Sequence, residues 1–226
     1  LVLWGLNGFV APRLGGAIAD AAVSLPSSAQ FHAAIHHDIQ HGMGEDGDTN
    51  TRYERFLAST LSKYGVTRPE DLPVGLRGLH LIANDAYSSR VHDQHFGDLA
   101  QRFTKQADWQ LSAAVLGPLL PVRALSQALA GTDLQHHQHF SDAAEQYRRS
   151  FIDATSEEIA RRNTGNDNSA TVGDDYWRAV PPFDYRAPSV AWALAAHWKA
   201  LLVLALWLVA ALSFALSGFK RLTREI

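Results

Sequence analysis

Two hydrophobic patterns alternate along this chain. From residue 27 to residue 162, apolar side chains return every three or four positions and are separated by polar ones, the period of helices with one buried face. From Ala200 to Phe219 the alternation stops, and ALLVLALWLVAALSFALSGF runs without a charge. The periodic part predicts a series of helices. Ser27 with Gln30 three residues on forms a capping box, Phe31, Ile35 and Ile39 make a stripe, and Gly42 ends that helix. A second helix over 50–64, carrying Tyr53, Phe56, Leu57, Leu61 and Tyr64, stops at Gly65. The two prolines and two glycines of 66–79 read as a structured turn.

A long helix is expected over 80–114, with Val91, Phe96, Leu99, Phe103 and Leu111 at helical spacing and Gly97 as a point where it breaks or kinks. A shorter apolar helix runs from Pro118 to Gly131, and its apolar residues exceed a narrow stripe, which places it close to the outer leaflet of a membrane. Thr132, with Gln135 after it, is then expected to cap a helix that turns Leu134, Phe140, Ala144, Tyr147, Phe151 and Ile159 inward. NTGNDNSATVGDD, residues 163–175, has the composition of a flexible linker, and VPPFDYRAPS that of an extended, proline-stiffened return. No segment alternates strongly with a period of two, so the fold class is all-α.

The uncharged C-terminal run is long enough to cross a bilayer, about 30 Å at roughly 1.5 Å per residue. Lys220, Arg221 and Arg224 follow it, against Lys199 alone before it, so the tail is expected in the cytoplasm. Trp192 and Trp198 suit the opposite interface. Residues 1–12 are apolar but too short to span, and read as the end of an earlier membrane helix. The expected organisation is therefore 1–12 as that helix end, 13–188 as a helical extracytoplasmic domain, 189–219 as a membrane helix and 220–226 as a cytoplasmic basic tail.

Composition adds exclusions. The chain of 226 residues carries a net charge of −3, so no basic field recommends nucleic acid. Without cysteine there are no disulfides and no thiolate metal sites or nucleophiles. No GxSxG elbow, HExxH helix or GxxxxGK[ST] phosphate loop occurs. Eleven histidines remain as candidate chemistry. His136 and His139, three apart, and His32 and His36, four apart, each lie on one helix face and could reach one metal ion. Packing between helices is the plainer account of them, and the Thr132–Asp133 turn is explained by helix capping, with Asp133 suiting a helix N-terminus.

Three blocks carry a family likeness. They are Gly131-Thr132-Asp133 with His136 or His137 and Phe140 after GPLLPVRALSQALA; Arg90-Val91-His92-Asp93-Gln94-His95-Phe96-Gly97; and Pro181-Pro182-Phe183-Asp184-Tyr185. In these the chain resembles bacterial ABC transporter permeases of the second, exporter-like type, in the branch with a large extracytoplasmic domain of unknown function before the last membrane helix. Gly117 stands where that pattern would have serine before Pro118. The resemblance implies a multi-pass protein of the bacterial inner membrane, paired with itself or a second permease and touching membrane lipid. It also implies a separate cytoplasmic ATP-binding subunit that holds ATP and Mg, so that this chain has no cofactor and is not an enzyme. Two other readings stay open: a membrane-anchored, histidine-rich sensor of metal or ligand, and a tethered enzyme with a histidine–carboxylate metal centre.

Overall fold

The computed structural model describes residues 5–222, and the side chains of Leu6, Arg221 and Leu222 are outside that description. The two ends of the expected organisation, 1–12 and 220–226, therefore lie partly outside the described residues. Among the described residues the fold is all-α, with no strand. A π-helical turn over Leu6–Val10 leads into α1 (Ala11–Ala22), followed by α2 (Ser28–His41), α3 (Thr49–Tyr64) and α4 (Leu76–Ser112). After a 3₁₀ turn at Ala113–Leu116 come α5 (Leu119–Ala130), α6 (Leu134–Arg162), α7 (Asp174–Ala179), α8 (Val190–Ala196) and α9 (Trp198–Leu222).

The chain forms two compact units, each assembled from separated segments. One takes residues 1–25, 100–141 and 186–226; the other takes 26–99 and 142–185. Both long helices, α4 and α6, thus contribute residues to each unit.

In the second unit the local signals act as the sequence suggests. The Ser27 hydroxyl and the Gln30 side chain cap α2 reciprocally, and Ile35 is its buried residue, with Phe31 and Ile39 half-buried. The Asp48 carboxylate accepts from the Thr51 amide at the start of α3, and Gly65 ends α3 in the left-handed region that favours glycine. α4 begins one turn earlier than expected and runs through Gly97 without a break. At its start Gly75 and Gly78 let α6 approach closely: a Cβ on Gly78 would fall within 3 Å of the backbone and Cβ of Ala160.

Residues 163–175 are no free linker. Asn163 is 2% exposed; its amide group donates to the carbonyls of Ile159 and Ala170, and its Oδ1 accepts from the Ala170 amide. The Gly165 amide reaches the carbonyls of Leu72 and Val74, and the Leu76 amide reaches the Gly165 carbonyl. Buried polar groups of the loop are met by partners, which composition alone does not reveal.

Arginines join the helices of the same unit. Arg149 makes a forked pair with Asp93, and Arg148 bonds both Glu145 and Asp85. Arg148 and Arg149 hold the Glu145 carboxyl down at about 2, and Arg149 draws Asp93 below the usual carboxylate range.

In the first unit, α5 packs against α9 and α8, and α1 against the Ala113–Leu116 turn. Gly15 of α1 lies against the Gln110 backbone. Arg102 donates to the Ser24 carbonyl, and Gln106 to the Val23 carbonyl and Asp20. α9 holds a span of 23 residues, Trp198–Lys220, with mean hydropathy 2.5, long and apolar enough to cross a membrane and only 6% buried in its most apolar window. It is preceded by α8 rather than continuous with it, the break falling at His197.

Candidate functional site

The Gly131-Thr132-Asp133 motif joins α5 to α6. Gly131 is left-handed, its amide reaches the Ala128 carbonyl, and the Thr132 amide reaches the Gln127 carbonyl, so the end of α5 is closed by a Schellman pair. The cap of α6 is Asp133, not Thr132: Asp133 Oδ1 accepts from the His136 amide at 2.8 Å, while the Thr132 hydroxyl turns back to the Gln127 carbonyl. A carboxylate accepts this bond more strongly than a hydroxyl, and its charge suits the helix N-terminus.

Asp133 also gathers two imidazoles. His136 Nδ1 lies 2.6 Å from Oδ1, and His197 Nε2 lies 3.2 Å from Oδ2, with the Asp133 side chain 7% exposed. Oδ2 accepts no well-aligned hydrogen bond, so its contact with His197 is one of proximity and charge. His197 Nδ1 lies 3.1 Å from the Ala193 carbonyl, so this nitrogen carries the proton there. Trp192 supports the group, edge-on to both His136 and His139.

Beside this cluster the same unit has an open cleft of about 520 Å³. Its lining includes the polar Asp133 and His197 and the apolar Leu111, Leu120 and Ala200. Arg123, Gln127 and the ion pair of Lys199 with Asp108, at 2.7 Å, also line it. Arg123 makes no side-chain hydrogen bond or ion pair among the described residues.

The other sequence candidates are dispersed. His32 Nδ1 lies 2.7 Å from the Ser28 carbonyl of its own helix, and His36 is exposed on α2. His136 and His139 share Trp192 as a neighbour, and no group of three His, Asp or Glu side chains among the described residues is placed to hold a metal ion. Phe140 is 45% exposed and Leu134 36%, against the expectation that both point inward. In the second block, Asp93 pairs with Arg149, Arg90 pairs with Asp46 and lies over the Tyr87 ring, and Phe96 meets Phe31 edge-on. These residues fasten helices together. The reading from sequence missed His197 and Arg123, because neither lies in a motif; only the chain's return at α8 brings His197 to Asp133.

Among the described residues, fold and site define an all-α protein with one helix long and apolar enough to cross a membrane. The chain belongs to the family described as a domain of unknown function, DUF3526, whose profile matches residues 29–186. No curated protein and no solved structure matches it.

Proposed function

We propose that this chain is the extracytoplasmic domain and following membrane helix of an ABC transporter permease. One observation carries the reading: α9 is apolar on nearly all sides, and an apolar helix of that length left uncovered in water would be strongly unfavourable. The family blocks around Gly131-Thr132-Asp133 and Arg90–Gly97 support it by resemblance. The chain sits in the bacterial plasma membrane as part of a multi-pass protein. Its helical domain lies outside, and Lys220 starts a cytoplasmic tail.

ATP and Mg belong to a separate cytoplasmic subunit, and the permease works as a homodimer or a paired permease. The domain shapes or gates the exit path as nucleotide shifts the balance between two arrangements of the membrane helices. Affinity purification of the full-length protein from its native membrane, in mild detergent, tests this. An ATP-binding subunit recovered in near-equal amount supports the reading. Recovery of the protein without one overturns it in favour of a membrane-anchored sensor.

A further inference from the structure

We propose that His37 and His41 of α2 form a two-nitrogen chelate for a divalent first-row transition metal, copper(II) above all. The inference concerns α2 and α4 within the second unit, so it goes beyond the transport reading and does not depend on it. The two residues stand four apart on one helix face. Their rings are stacked, with centroids 4.6 Å apart and planes 25° from parallel. Both residues are exposed, and the His37 side chain is 67% open to solvent.

Hydrogen bonds decide which nitrogens are left for a metal. His41 Nδ1 lies 3.1 Å from the His37 carbonyl, and His37 Nδ1 lies 3.2 Å from Asp38 Oδ1. Carbonyl and carboxylate oxygens only accept, so each Nδ1 carries the proton and each Nε2 keeps its lone pair. A ligating imidazole is ordinarily held in this way, by a bond from its other nitrogen to a carbonyl or carboxylate. Asp38 is itself held from α4, where His95 Nε2 donates to Asp38 Oδ2 at 2.8 Å. That bond first, and the bond from His37 after it, outweigh burial and draw the Asp38 carboxyl below its ordinary range. A charged carboxylate behind the ring makes the imidazole of His37 a stronger donor to a metal.

The pair expected from sequence, His32 and His36, is arranged otherwise. The His32 ring stands perpendicular to that of Phe31, and its Nδ1 turns to the Ser28 carbonyl and hydroxyl. At His37 and His41 two imidazoles supply the protein ligands. No group of three His, Asp or Glu among the described residues is placed to hold a metal, so water completes the shell. Copper(II) suits such a site best. It leads the divalent first-row series in affinity for nitrogen ligands, and its tetragonal geometry accepts two of them beside water.

The test is titration of the full-length protein, free of any histidine tag, with copper(II), followed by calorimetry and by electron spin echo modulation of the bound ion. One tightly held copper per chain is expected, with modulation from two imidazoles. His37→Ala and His41→Ala should each lower the affinity about a hundredfold, because a lone imidazole loses the gain of linking two contacts. Asp38→Asn should lower it about tenfold with both imidazoles still in the signal, the usual cost of removing a supporting partner. His36→Ala, on the same helix, should leave the titration unchanged, and thermal unfolding checks that each variant is folded. Affinity indifferent to His37→Ala or to His41→Ala, modulation from a single imidazole, or an equal loss in His36→Ala overturns the proposal. An unchanged affinity in folded Asp38→Asn overturns the supporting role of that carboxylate.

Discussion

The indole of Trp207 donates a hydrogen bond of 2.8 Å to the carbonyl of Ala114. Trp207 lies eight residues past Lys199 on α9, about 12 Å along the helix at roughly 1.5 Å per residue. The Ala113–Leu116 turn is thus packed well below the level at which Lys199 meets Asp108. The segment from Trp109 to Val122 has no charge, and Pro118 and Pro121 remove two amide donors that the start of α5 would otherwise leave unpaired. Ser112 turns its hydroxyl to the carbonyl of Trp109 in its own helix. Gly117 fits the same picture, since a Cβ there would fall on the Asn7 side chain, which accounts for glycine in place of serine.

If α9 crosses the bilayer as proposed, the turn would dip into the hydrocarbon, where irregular backbone is tolerated only if protein covers it. Ala113, Ala114 and Gly117 are buried, whereas Val115 is 81% exposed. A spin label on Val115→Cys in reconstituted protein is expected to favour oxygen over a water-soluble nickel chelate, as a label on Phe214→Cys should. These 226 residues contain no cysteine that would compete with either label. A label at Val115 that favours the chelate while Phe214 favours oxygen would place the turn in water.

Two glycines of α4 should answer alanine in opposite directions. At Gly97 an added Cβ meets nothing within 4 Å, so Gly97→Ala should gain up to about 1 kcal/mol of helix propensity. At Gly78 the Cβ would meet the backbone of Ala160, and overpacking of that kind costs typically about 1–3 kcal/mol. Thermal unfolding of the two variants beside the parent checks the sign of each. A stabilised Gly78→Ala would mean that α4 and α6 do not approach as closely as described.

The contrast shows what could be read in the chain and what could not. Helix existence and most ends were legible, because capping at Ser27 and glycine stops at Gly42, Gly65 and Gly131 are local chemistry. Gly97 and Gly78 look alike in the sequence; only the position of Ala160, over eighty residues from Gly78, tells a tolerated glycine from a required one. The order of the loop at 163–175 is not legible in its composition for the same reason, since its partners are Leu72, Val74 and Leu76. At the site, Asp133 and His136 were legible as a helix start, but His197 and Arg123 depend on how α8 and α5 pack.

The Glu145 network should make stability pH-dependent in acid. Its carboxyl is held from an ordinary 4.5 to about 2, chiefly by the hydrogen bond from Arg148. A carboxyl depressed in the folded state binds its proton more readily when unfolded. Its contribution is therefore complete above about 4.5 and is lost as the pH falls toward 2. Asp93, drawn down by Arg149, acts in the same direction. Both carboxylates are partly open to solvent, which screens the gain. Urea unfolding between pH 6 and pH 2.5 should show a falling midpoint in the parent and a shallower fall in Glu145→Gln. Parallel slopes would mean that the arginines do not hold Glu145 in this way.

Asp133 performs two tasks that substitution can separate. As the cap of α6 it needs an acceptor oxygen, which asparagine also supplies. As the partner of His136 and His197 it needs a negative charge, which asparagine lacks. Asp133→Ala removes both and should cost about 2–4 kcal/mol, the sum of a lost cap and a lost charge-assisted contact. Asp133→Asn should cost less and keep the start of α6, seen as retained amide protection at His136 and His137. It should still loosen the α8–α9 junction, seen as faster amide exchange at His197 and Ala200, whose amide hydrogen bonds lie at that break. Equal losses in the two variants would assign Asp133 to capping alone. Unchanged exchange at His197 in both would separate the histidine from the carboxylate that it faces.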